Sequence, residues 1–308
     1  MKVCFCGLGS IGKRHLRNLI RVAPEFHMPL TIHALRKTGR VLEESISGLI
    51  TKQITDESGL DRDYDIAFIT NPTGMHVETM RTMADRTQHM FIEKPVSDGR
   101  DGAGNLDVRQ GGVQYVAGPL RYSPVIQRLR EMIGRRRVYS VRAICSSYLP
   151  DWRPGLDYRQ TYSAKKELGG GVDIDLIHEW DYIVDLFGFP EQVHRICGKY
   201  SDLAIDSPDI AIYIAEYENM AAELHLDYFG REVRREIELF TADGTIAGDL
   251  IRNTVTYTGE RIHFAEDDND MYMREMRFFL GRIQEGRAFN NIRHCLAVLD
   301  IALGRESV

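Results

Sequence analysis

The stretch KVCFCGLGSIGKRHLRNL, residues 2–19, determines how the chain begins to fold. Its first five residues form a run typical of a buried strand, and a glycine-rich segment follows directly. Beyond that segment, apolar side chains recur at helical spacing. A strand, a glycine-rich turn and a helix in this order are typical of a dinucleotide-binding domain, although a purely structural turn can have the same pattern.

Three glycines have separate functions in such a turn. Gly7 allows the chain to reverse tightly, Gly9 lets the backbone approach a pyrophosphate, and Gly12 allows the helix to pack closely on the strand. The N–H groups at the start of the helix, at Ser10 and Ile11, face the phosphates in this arrangement. We therefore expect these five residues to contact a cofactor.

Composition limits the classes of function. The 308 residues exceed one typical domain, so two domains are expected. A net charge of −6 gives no electrostatic reason to expect nucleic acid or a membrane surface as a partner. No apolar run reaches the roughly 18 residues of a membrane span, and the chain enters a strand without a signal-peptide pattern. The five cysteines suit neither a disulfide framework nor a zinc site, so we expect a cytoplasmic protein.

The order of the predicted elements indicates an α/β protein with two domains. Over residues 1–120, strands alternate with helices, as in a Rossmann domain built on a doubly wound parallel sheet. Over residues 121–308, strand-like runs separated by short turns follow one another, with one helix expected over 172–187. The second domain is therefore expected to be α+β, with a large, mostly antiparallel open sheet, and to serve substrate binding and oligomerisation.

Polar residues follow several strands of the first domain. Arg36, Asn71 and the tripeptide Glu93-Lys94-Pro95 come directly after strands, and ligands of a parallel sheet bind beyond the carboxyl ends of its strands. A lysine at this edge can stabilise the charge that develops on a substrate oxygen. On the tripeptide alone, an ordinary surface lysine before a turn proline is an equal alternative.

A second group of polar residues follows three consecutive glycines in the second domain. Asp175, His178 and Asp181 are spaced three residues apart, so a continuous helix would place them on one stripe. A histidine flanked by carboxylates can act as a general base on an alcohol. A solvated polar helix face is the alternative. A metal site is disfavoured because no second histidine or cysteine lies at ligand spacing.

The residues at the end of the second strand indicate which nicotinamide cofactor is preferred. An acidic residue there would hold the ribose hydroxyls and favour NAD, but the chain has Arg36 and Lys37. A guanidinium can bind a phosphate through two hydrogen bonds and stack on adenine. The pair therefore favours NADP over NAD, with a basic, solvated loop as the alternative.

Aromatic residues and arginines alternate in the segment 148–159. Trp152 and Tyr158 offer faces on which a sugar ring stacks, and Arg153 can bind a carboxylate or phosphate. We expect these three residues to contact the substrate. A structural loop whose arginines pair with Asp151 and Asp157 is the alternative.

Five motifs in a fixed order are more specific than any one of them. They are the glycine turn, Thr70-Asn71-Pro72 with His76 behind it, Glu93-Lys94-Pro95, Arg121-Tyr122-Ser123-Pro124, and the three glycines before Asp175 and His178. Together with the closing helices, they make the whole chain resemble the Gfo/Idh/MocA family of NAD(P)-dependent sugar and cyclitol oxidoreductases.

The resemblance implies a role for each motif. Lys94, His178 and Asp175 correspond to the family's catalytic group. Members often have the aspartate four residues before the histidine instead of three, so Asp173 stays an alternative to Asp175. The residues expected to bind the cofactor are Gly7, Gly9, Ser10, Ile11, Gly12, Arg36, Lys37, Thr70, Asn71, Pro72, His76, Glu93 and Lys94. Those expected to bind the substrate are Arg121, Tyr122, Trp152, Arg153, Tyr158, Asp175 and His178.

These expectations define a leading function and two alternatives. The leading function is hydride transfer between a nicotinamide and a carbinol carbon of a sugar, sugar acid, nucleotide sugar or cyclitol. The same fold can use bound NAD(P) transiently for epimerisation or glycoside cleavage, and a cofactor-sensing protein without catalysis is the other alternative. A homodimer or homotetramer is expected, joined by a sheet face to which we assign Leu224, Leu226, Tyr228, Val255 and Tyr257.

Overall fold

The chain forms two compact units. The computed structural model describes residues 1–36, 41–99, 109, 111–134 and 136–305. The first unit contains Met1–Ala117 and Tyr272–Leu296, and the second contains Gly118–Met271 and the residues from Ala297 onwards. The sequence suggests a single boundary at residue 120, with 272–296 in the second domain, whereas the structure assigns 272–296 to the first unit.

Helices and strands alternate early in the chain, and strands dominate later. In chain order the elements are β1 (Lys2–Cys6), α1 (Ser10–Val22), β2 (Thr31–Leu35), α2 (Glu44–Ser47), β3 (Lys52–Ile54), β4 (Tyr64–Ile69), α3 (His76–Ala84), β5 (Thr87–Ile92), β6 (Val113–Val116), α4 (Pro124–Ile133), β7 (Val138–Tyr148), α5 (Val172–Asp175), α6 (His178–Phe187), β8 (Gln192–Gly198), β9 (Ile210–Tyr217), β10 (Met220–Asp227), β11 (Phe229–Thr241), β12 (Gly244–Asp249), β13 (Thr254–Tyr257), β14 (Glu260–His263), α7 (Asp270–Gln284), β15 (Phe289–Asn290) and α8 (Ile292–Leu303).

The first unit is built on a parallel sheet, with seven strands among the described residues in the order β15-β6-β5-β4-β1-β2-β3. This is the strand order of a doubly wound nucleotide-binding domain, with β15 added at one edge. The central strands β1 and β4 are almost entirely buried, which explains their apolar sequences. The expected Rossmann fold is confirmed. The carboxyl ends of β1, β4 and β5 lead directly to Gly7, Thr70 and Glu93.

The return of α7 to the first unit results from its apolar face, which packs on the parallel sheet. The Phe279 ring is completely buried and lies 5.3 Å from the Phe91 ring and 6.0 Å from the Phe68 ring, centroid to centroid. The Tyr115 hydroxyl donates to Glu275 Oε1 at 3.0 Å, across 160 residues of sequence. These long-range contacts are the physical reason why a single boundary at residue 120 does not divide the chain.

The second unit is built on an open sheet, with eight strands among the described residues in the order β14-β13-β12-β11-β7-β10-β9-β8. Strands β7 and β10 run parallel, and the other neighbouring pairs run antiparallel. The expected large, mostly antiparallel sheet is confirmed. Side chains of α4 and α6 share one apolar core with one face of this sheet.

The residues assigned to a contact between copies lie on the inner face of this sheet. Leu224, Leu226, Tyr228 and Val255 are buried in the core of the unit, and Tyr257 packs against the same core. The assignment of these five residues to an oligomer contact is therefore wrong. Side chains alternate between the two faces of a strand, and these positions point towards the helices.

Candidate functional site

The glycine turn between β1 and α1 leaves no room for a side chain at two of its three glycines. A Cβ on Gly7 would lie 2.8 Å from the Asn71 Cα, and the φ of Gly7 is +101°, in the region that favours glycine. A Cβ on Gly12 would lie 2.6 Å from the Gly7 carbonyl oxygen, whereas a Cβ on Gly9 would meet no atom of the described residues within 4 Å. These distances agree with the steric functions inferred above. The approach of a pyrophosphate to Gly9 stays a prediction.

The loop after β4 lies against the glycine turn, at the carboxyl ends of the parallel strands. The Thr70 hydroxyl donates to the Gly7 carbonyl at 2.7 Å, so this side chain closes the glycine turn. Asn71 Nδ2 donates to Thr79 Oγ1 at 2.7 Å, and Pro72 precedes a short 3₁₀ turn. Asn71 Oδ1 is buried and has no hydrogen-bond partner within the described part of the chain. A buried carbonyl oxygen needs a donor, which the polar groups of a dinucleotide can provide, so the residues present fit such a cofactor.

Glu93 and Lys94 follow β5. Glu93 is buried, its Oε1 accepts a hydrogen bond from His15 Nε2, and its Oε2 lies 3.2 Å from the Lys94 backbone nitrogen. Burial acts to raise the pKa of Glu93, but the bond from His15 and the charge of Lys94 hold that pKa below its usual value. Lys94 is half-buried, and its bond to Pro95 is cis. Glu93 is therefore an ionised group directed into the protein.

His76, at the start of α3, is completely buried. Its Nδ1 lies 2.9 Å from the Pro95 carbonyl oxygen, and its Nε2 lies 2.9 Å from the Asn71 carbonyl oxygen. The ring thus joins the loop after β4 to the loop after β5, a function that sequence reasoning did not identify. Contact between His76 and a cofactor stays a prediction.

The remaining predicted cofactor residues lie at the ends of β1 and β2. Ser10 and Ile11 begin α1, where the first N–H groups of a helix have no intrahelical acceptor. Arg36 follows β2, and its Nη1 donates to Gln53 Oε1 at 3.2 Å. Lys37 lies outside the described residues.

In the second unit, the continuous helix expected over 172–187 is wrong, because the structure has two helices. Leu176 follows α5 with φ −97° and ψ 26°, outside the α-helical region, and α6 begins at His178. Arg121 Nε donates to Asp181 Oδ2 at 2.8 Å. Asp181 was expected beside His178, and Arg121 was expected to contact the substrate. The structure instead joins these two residues to each other as an ion pair. Tyr122, the residue after Arg121, is half-buried.

Asp175 is held by two tyrosines that sequence reasoning missed. The buried Tyr228 hydroxyl donates to Asp175 Oδ2 at 2.6 Å, and Tyr162 also forms a hydrogen bond with this carboxylate. Burial raises the pKa of both hydroxyls, and the charge of Asp175 raises it further, so both stay protonated donors. Tyr228 continues the buried alternation of Leu224 and Leu226, but such a pattern does not show which carboxylate a hydroxyl reaches.

The alternative aspartate, Asp173, has other partners. Its Oδ2 accepts a hydrogen bond from Arg195, and the Cys197 Sγ lies 3.8 Å from the same oxygen. Burial raises the pKa of Asp173, against the effect of the neighbouring guanidinium. These contacts favour Asp175 over Asp173 as the partner of the half-buried His178, an assignment that stays a prediction.

Three of the seven residues predicted to bind the substrate line one small pocket of the second unit. Trp152, Arg153 and Tyr158 contribute to its wall. Trp152 is 36% exposed, and its ring meets the Tyr228 ring edge-on at 5.2 Å. Arg153 lies over the Tyr162 ring, 5.7 Å from its centroid. Two residues of the pocket wall therefore contact the tyrosines beside Asp175.

The arginines of this region differ in their partners. Arg159 pairs with Asp157 at 2.8 Å, as expected if this segment is a structural loop. Arg153 instead lies over the Tyr162 ring, and Arg231 stacks on Tyr148, 3.7 Å from the centroid of that ring. A stacked guanidinium keeps its in-plane donors for a carboxylate or phosphate. Arg231 is a further residue that sequence reasoning missed.

Within the described ranges, no helix is long and apolar enough to cross a membrane. Nor does any group of three or more His, Cys, Asp or Glu residues there have the arrangement to hold a metal ion.

Known proteins resemble both parts of the chain. Residues 1–106 match the GFO_IDH_MocA model, an oxidoreductase family with an NAD-binding Rossmann fold. An uncharacterized oxidoreductase, YrbE, of Bacillus subtilis (strain 168) is 24% identical over 308 residues, covering 95% of this chain and 84% of the relative. Myo-inositol 2-dehydrogenase of Thermotoga maritima is 23% identical over 311 residues, covering 93% and 89%. A solved levoglucosan dehydrogenase, in complex with NADH and levoglucosan, matches with a TM-score of 0.83 at 16% identity, over 98% and 95% of the two chains.

The fold and these comparisons define the class of protein as an NAD(P)-dependent oxidoreductase. The resemblance to the Gfo/Idh/MocA family that the five motifs carry is confirmed, since residues 1–106 match the family model and a related oxidoreductase aligns over 95% of the chain. The similarity of fold extends over both units.

The glycine turn predicts different outcomes for two substitutions. Gly9→Ala adds a Cβ that meets no protein atom within 4 Å, so the fold is retained. That Cβ would occupy the side from which a pyrophosphate approaches, so the Kd for NADP(H) and NAD(H) should rise by about tenfold or more. Gly12→Ala collides with the Gly7 carbonyl oxygen and should also lower the free energy of unfolding by about 1–3 kcal/mol. Calorimetric titration and chemical denaturation measure both effects. Unchanged affinity in Gly9→Ala would contradict cofactor binding at this turn.

Proposed function

We propose that this oxidoreductase transfers a hydride between a nicotinamide cofactor and a carbinol carbon of a sugar or cyclitol. The proposal rests on what the structure has at the carboxyl ends of the strands of the first sheet. There, within the described part of the chain, the space beside Gly9 is open and a buried Asn71 oxygen has no hydrogen-bond donor. The relatives named for myo-inositol and levoglucosan support a polyol substrate.

The chain's own residues bind and orient the reactants, and the cofactor supplies the hydride chemistry. Gly9 and the start of α1 would hold the pyrophosphate through backbone N–H groups. Asn71 Oδ1 would accept a hydrogen bond from the dinucleotide. Arg36 would bind the adenosine ribose or its phosphate.

Three side chains are assigned to the proton and the substrate oxygen. The Lys94 ammonium stabilises the negative charge that develops on that oxygen. His178 exchanges the proton of the oxygen as a general acid or base. Asp175 orients His178, and its own rotation is restricted by Tyr162 and Tyr228.

A substrate with a negative group fits the second unit best. Arg153 and Arg231 both lie over tyrosine rings, and the half-exposed Trp152 adds a face for a sugar ring. This pattern favours a sugar acid or a nucleotide sugar over a neutral sugar or cyclitol.

Lys94→Ala tests the catalytic assignment. We expect kcat to fall by about 10²–10⁴-fold, because the developing charge loses its stabilising cation. Turnover of a panel of sugar acids, nucleotide sugars, neutral sugars and cyclitols is followed by the absorbance of reduced nicotinamide. Lys52→Ala is the matched control, since Lys52 is a lysine of the same unit bound to Asp61.

The same panel separates the two alternative functions. A sugar that is converted without net accumulation of reduced cofactor would replace the proposal with transient oxidation during epimerisation or glycoside cleavage. Cofactor binding with no turnover of any sugar would favour a sensing protein. Full activity in Lys94→Ala would overturn the role of this lysine.

We propose that NADP is preferred over NAD, because Arg36 stands where an acidic residue would select NAD. Arg36→Asp is expected to raise the Kd for NADP by about 10–100-fold and that for NAD by less than about threefold, since a carboxylate repels the 2′-phosphate. Calorimetric titration with both cofactors measures the two constants. An equal increase in the Kd for NADP and the Kd for NAD would contradict a preference for NADP.

We also propose a homodimer or homotetramer joined by the outer face of the second sheet. Ile196 and Ile214 are 58% and 44% exposed on this face, and Ile212 pairs in register with Ile196. A second copy of the same face would remove these side chains from water.

Ile214→Asp is expected to shift the mass measured by light scattering towards that of the monomer. A carboxylate on this face would be buried against its symmetry mate, which is costly. Ile251→Asp, at an exposed turn after β12, is the control that should leave the mass unchanged. A monomeric wild-type protein would contradict the proposal.

A further inference from the structure

Lys94 lies between two residues that are each bound by a buried histidine. Glu93, before it, accepts a hydrogen bond from His15 of α1. The carbonyl of Pro95, after it, lies within hydrogen-bond distance of His76 of α3. Both histidines are completely buried. The segment around Lys94 is thus fastened to two different helices of the first unit.

The contact between His15 and Glu93 is shielded from water. The His15 ring lies 4.7 Å from the Phe91 ring and 6.1 Å from the Tyr272 ring, centroid to centroid. Because the pKa of Glu93 is held below its usual value, the carboxylate is the acceptor and the ring nitrogen donates. The other oxygen of the Glu93 carboxylate, Oε2, lies 3.2 Å from the Lys94 backbone nitrogen. Rotating this segment would disturb a buried, charge-assisted hydrogen bond.

His76 connects two loops through its two ring nitrogens. They lie 2.9 Å from the carbonyl oxygens of Pro95 and Asn71. A neutral imidazole donates to one of these oxygens, and a protonated ring donates to both. Burial lowers the pKa of His76, while the two carbonyls and the carboxylates of Glu93 and Asp98 act in the opposite direction. In either protonation state the ring fills the space between the two loops.

We propose that His15 and His76, together the histidine clamp, are positioning residues that set the direction in which the Lys94 side chain leaves the backbone. The inference rests on the proposed function, in which Lys94 acts on the substrate oxygen. A displacement of about 1 Å at a catalytic group costs on the order of 10²-fold in rate, so fixing the backbone on both sides of the lysine has a direct kinetic effect.

Two pairs of variants test the histidine clamp. His15→Leu and His76→Leu remove the ring nitrogens, whereas His15→Gln and His76→Gln keep a side-chain N–H donor. His33→Gln is the matched control, because His33 is another buried histidine of the same unit and its ring bonds to the Tyr64 hydroxyl. If a leucine variant fails to fold, the glutamine variant of the same histidine carries the test.

The first readout is the rate at which Lys94 reacts with a pulse of acetic anhydride, measured by peptide mass spectrometry relative to Lys52. We expect the leucine variants to change this ratio by about threefold or more, with smaller changes in the glutamine variants and none in His33→Gln. An unchanged ratio in all four clamp variants overturns the proposal. This readout needs no turnover, so its failure is distinct from full activity in Lys94→Ala, which would overturn the proposed role of this lysine.

The second readout separates positioning from cofactor binding. For a sugar that the panel shows to be active, both leucine variants should lower kcat by about 10–100-fold, and His15→Leu should leave KM and the Kd for NADPH within about threefold. Partial recovery of kcat in the glutamine variants supports the proposal. Retention of kcat in both leucine variants, with a loss of NADPH affinity of about tenfold in His15→Leu, would overturn it.

Discussion

The close approach of the glycine turn to the loop after β4 is the constraint on which the first unit depends. Neither Gly7 nor Gly12 has room for a Cβ, because backbone atoms lie within 2.8 Å of the place it would take. This approach determines where α1 lies, and His15 follows Gly12 by about one helical turn. The buried hydrogen bond from His15 to Glu93 therefore depends on how tight the turn is. Because Glu93 also lies within hydrogen-bond distance of the Lys94 backbone nitrogen, the geometry of the turn affects the position of the Lys94 backbone.

Two buried carboxylates are held on the same principle in separate units. Glu93 is bound by a ring nitrogen and lies beside a backbone N–H, and Asp175 is bound by the hydroxyls of Tyr162 and Tyr228. A carboxylate removed from water needs such donors, since an unpaired buried charge is very costly. Donors that come from distant parts of the chain also restrict the rotation of the carboxylate. The requirement to satisfy a buried charge thus gives each carboxylate a fixed orientation towards its neighbours.

The parts of the fold that depend on local sequence could be predicted, and those that depend on distant partners could not. Both sheets and the glycine turn follow from alternating apolar residues and from glycine spacing, which are local patterns. The return of α7 depends on Phe279 reaching Phe91, and no local pattern contains that contact. The end of α5 before Leu176 was missed for a related reason, since residues 172–187 have helical periodicity throughout and no glycine or proline marks a break.

The candidate site could be predicted by position but not by the direction of its side chains. Thr70, Glu93 and His76 all belong to motifs expected to bind the cofactor, yet their polar atoms bind other parts of the protein. Spacing in a sequence does not record which way a side chain points. A glycine turn and a helix start present backbone N–H groups, which need no particular side chain to bind a phosphate. The motif side chains are then available for a second task, which is to hold the backbone of the glycine turn and the backbone that carries Lys94.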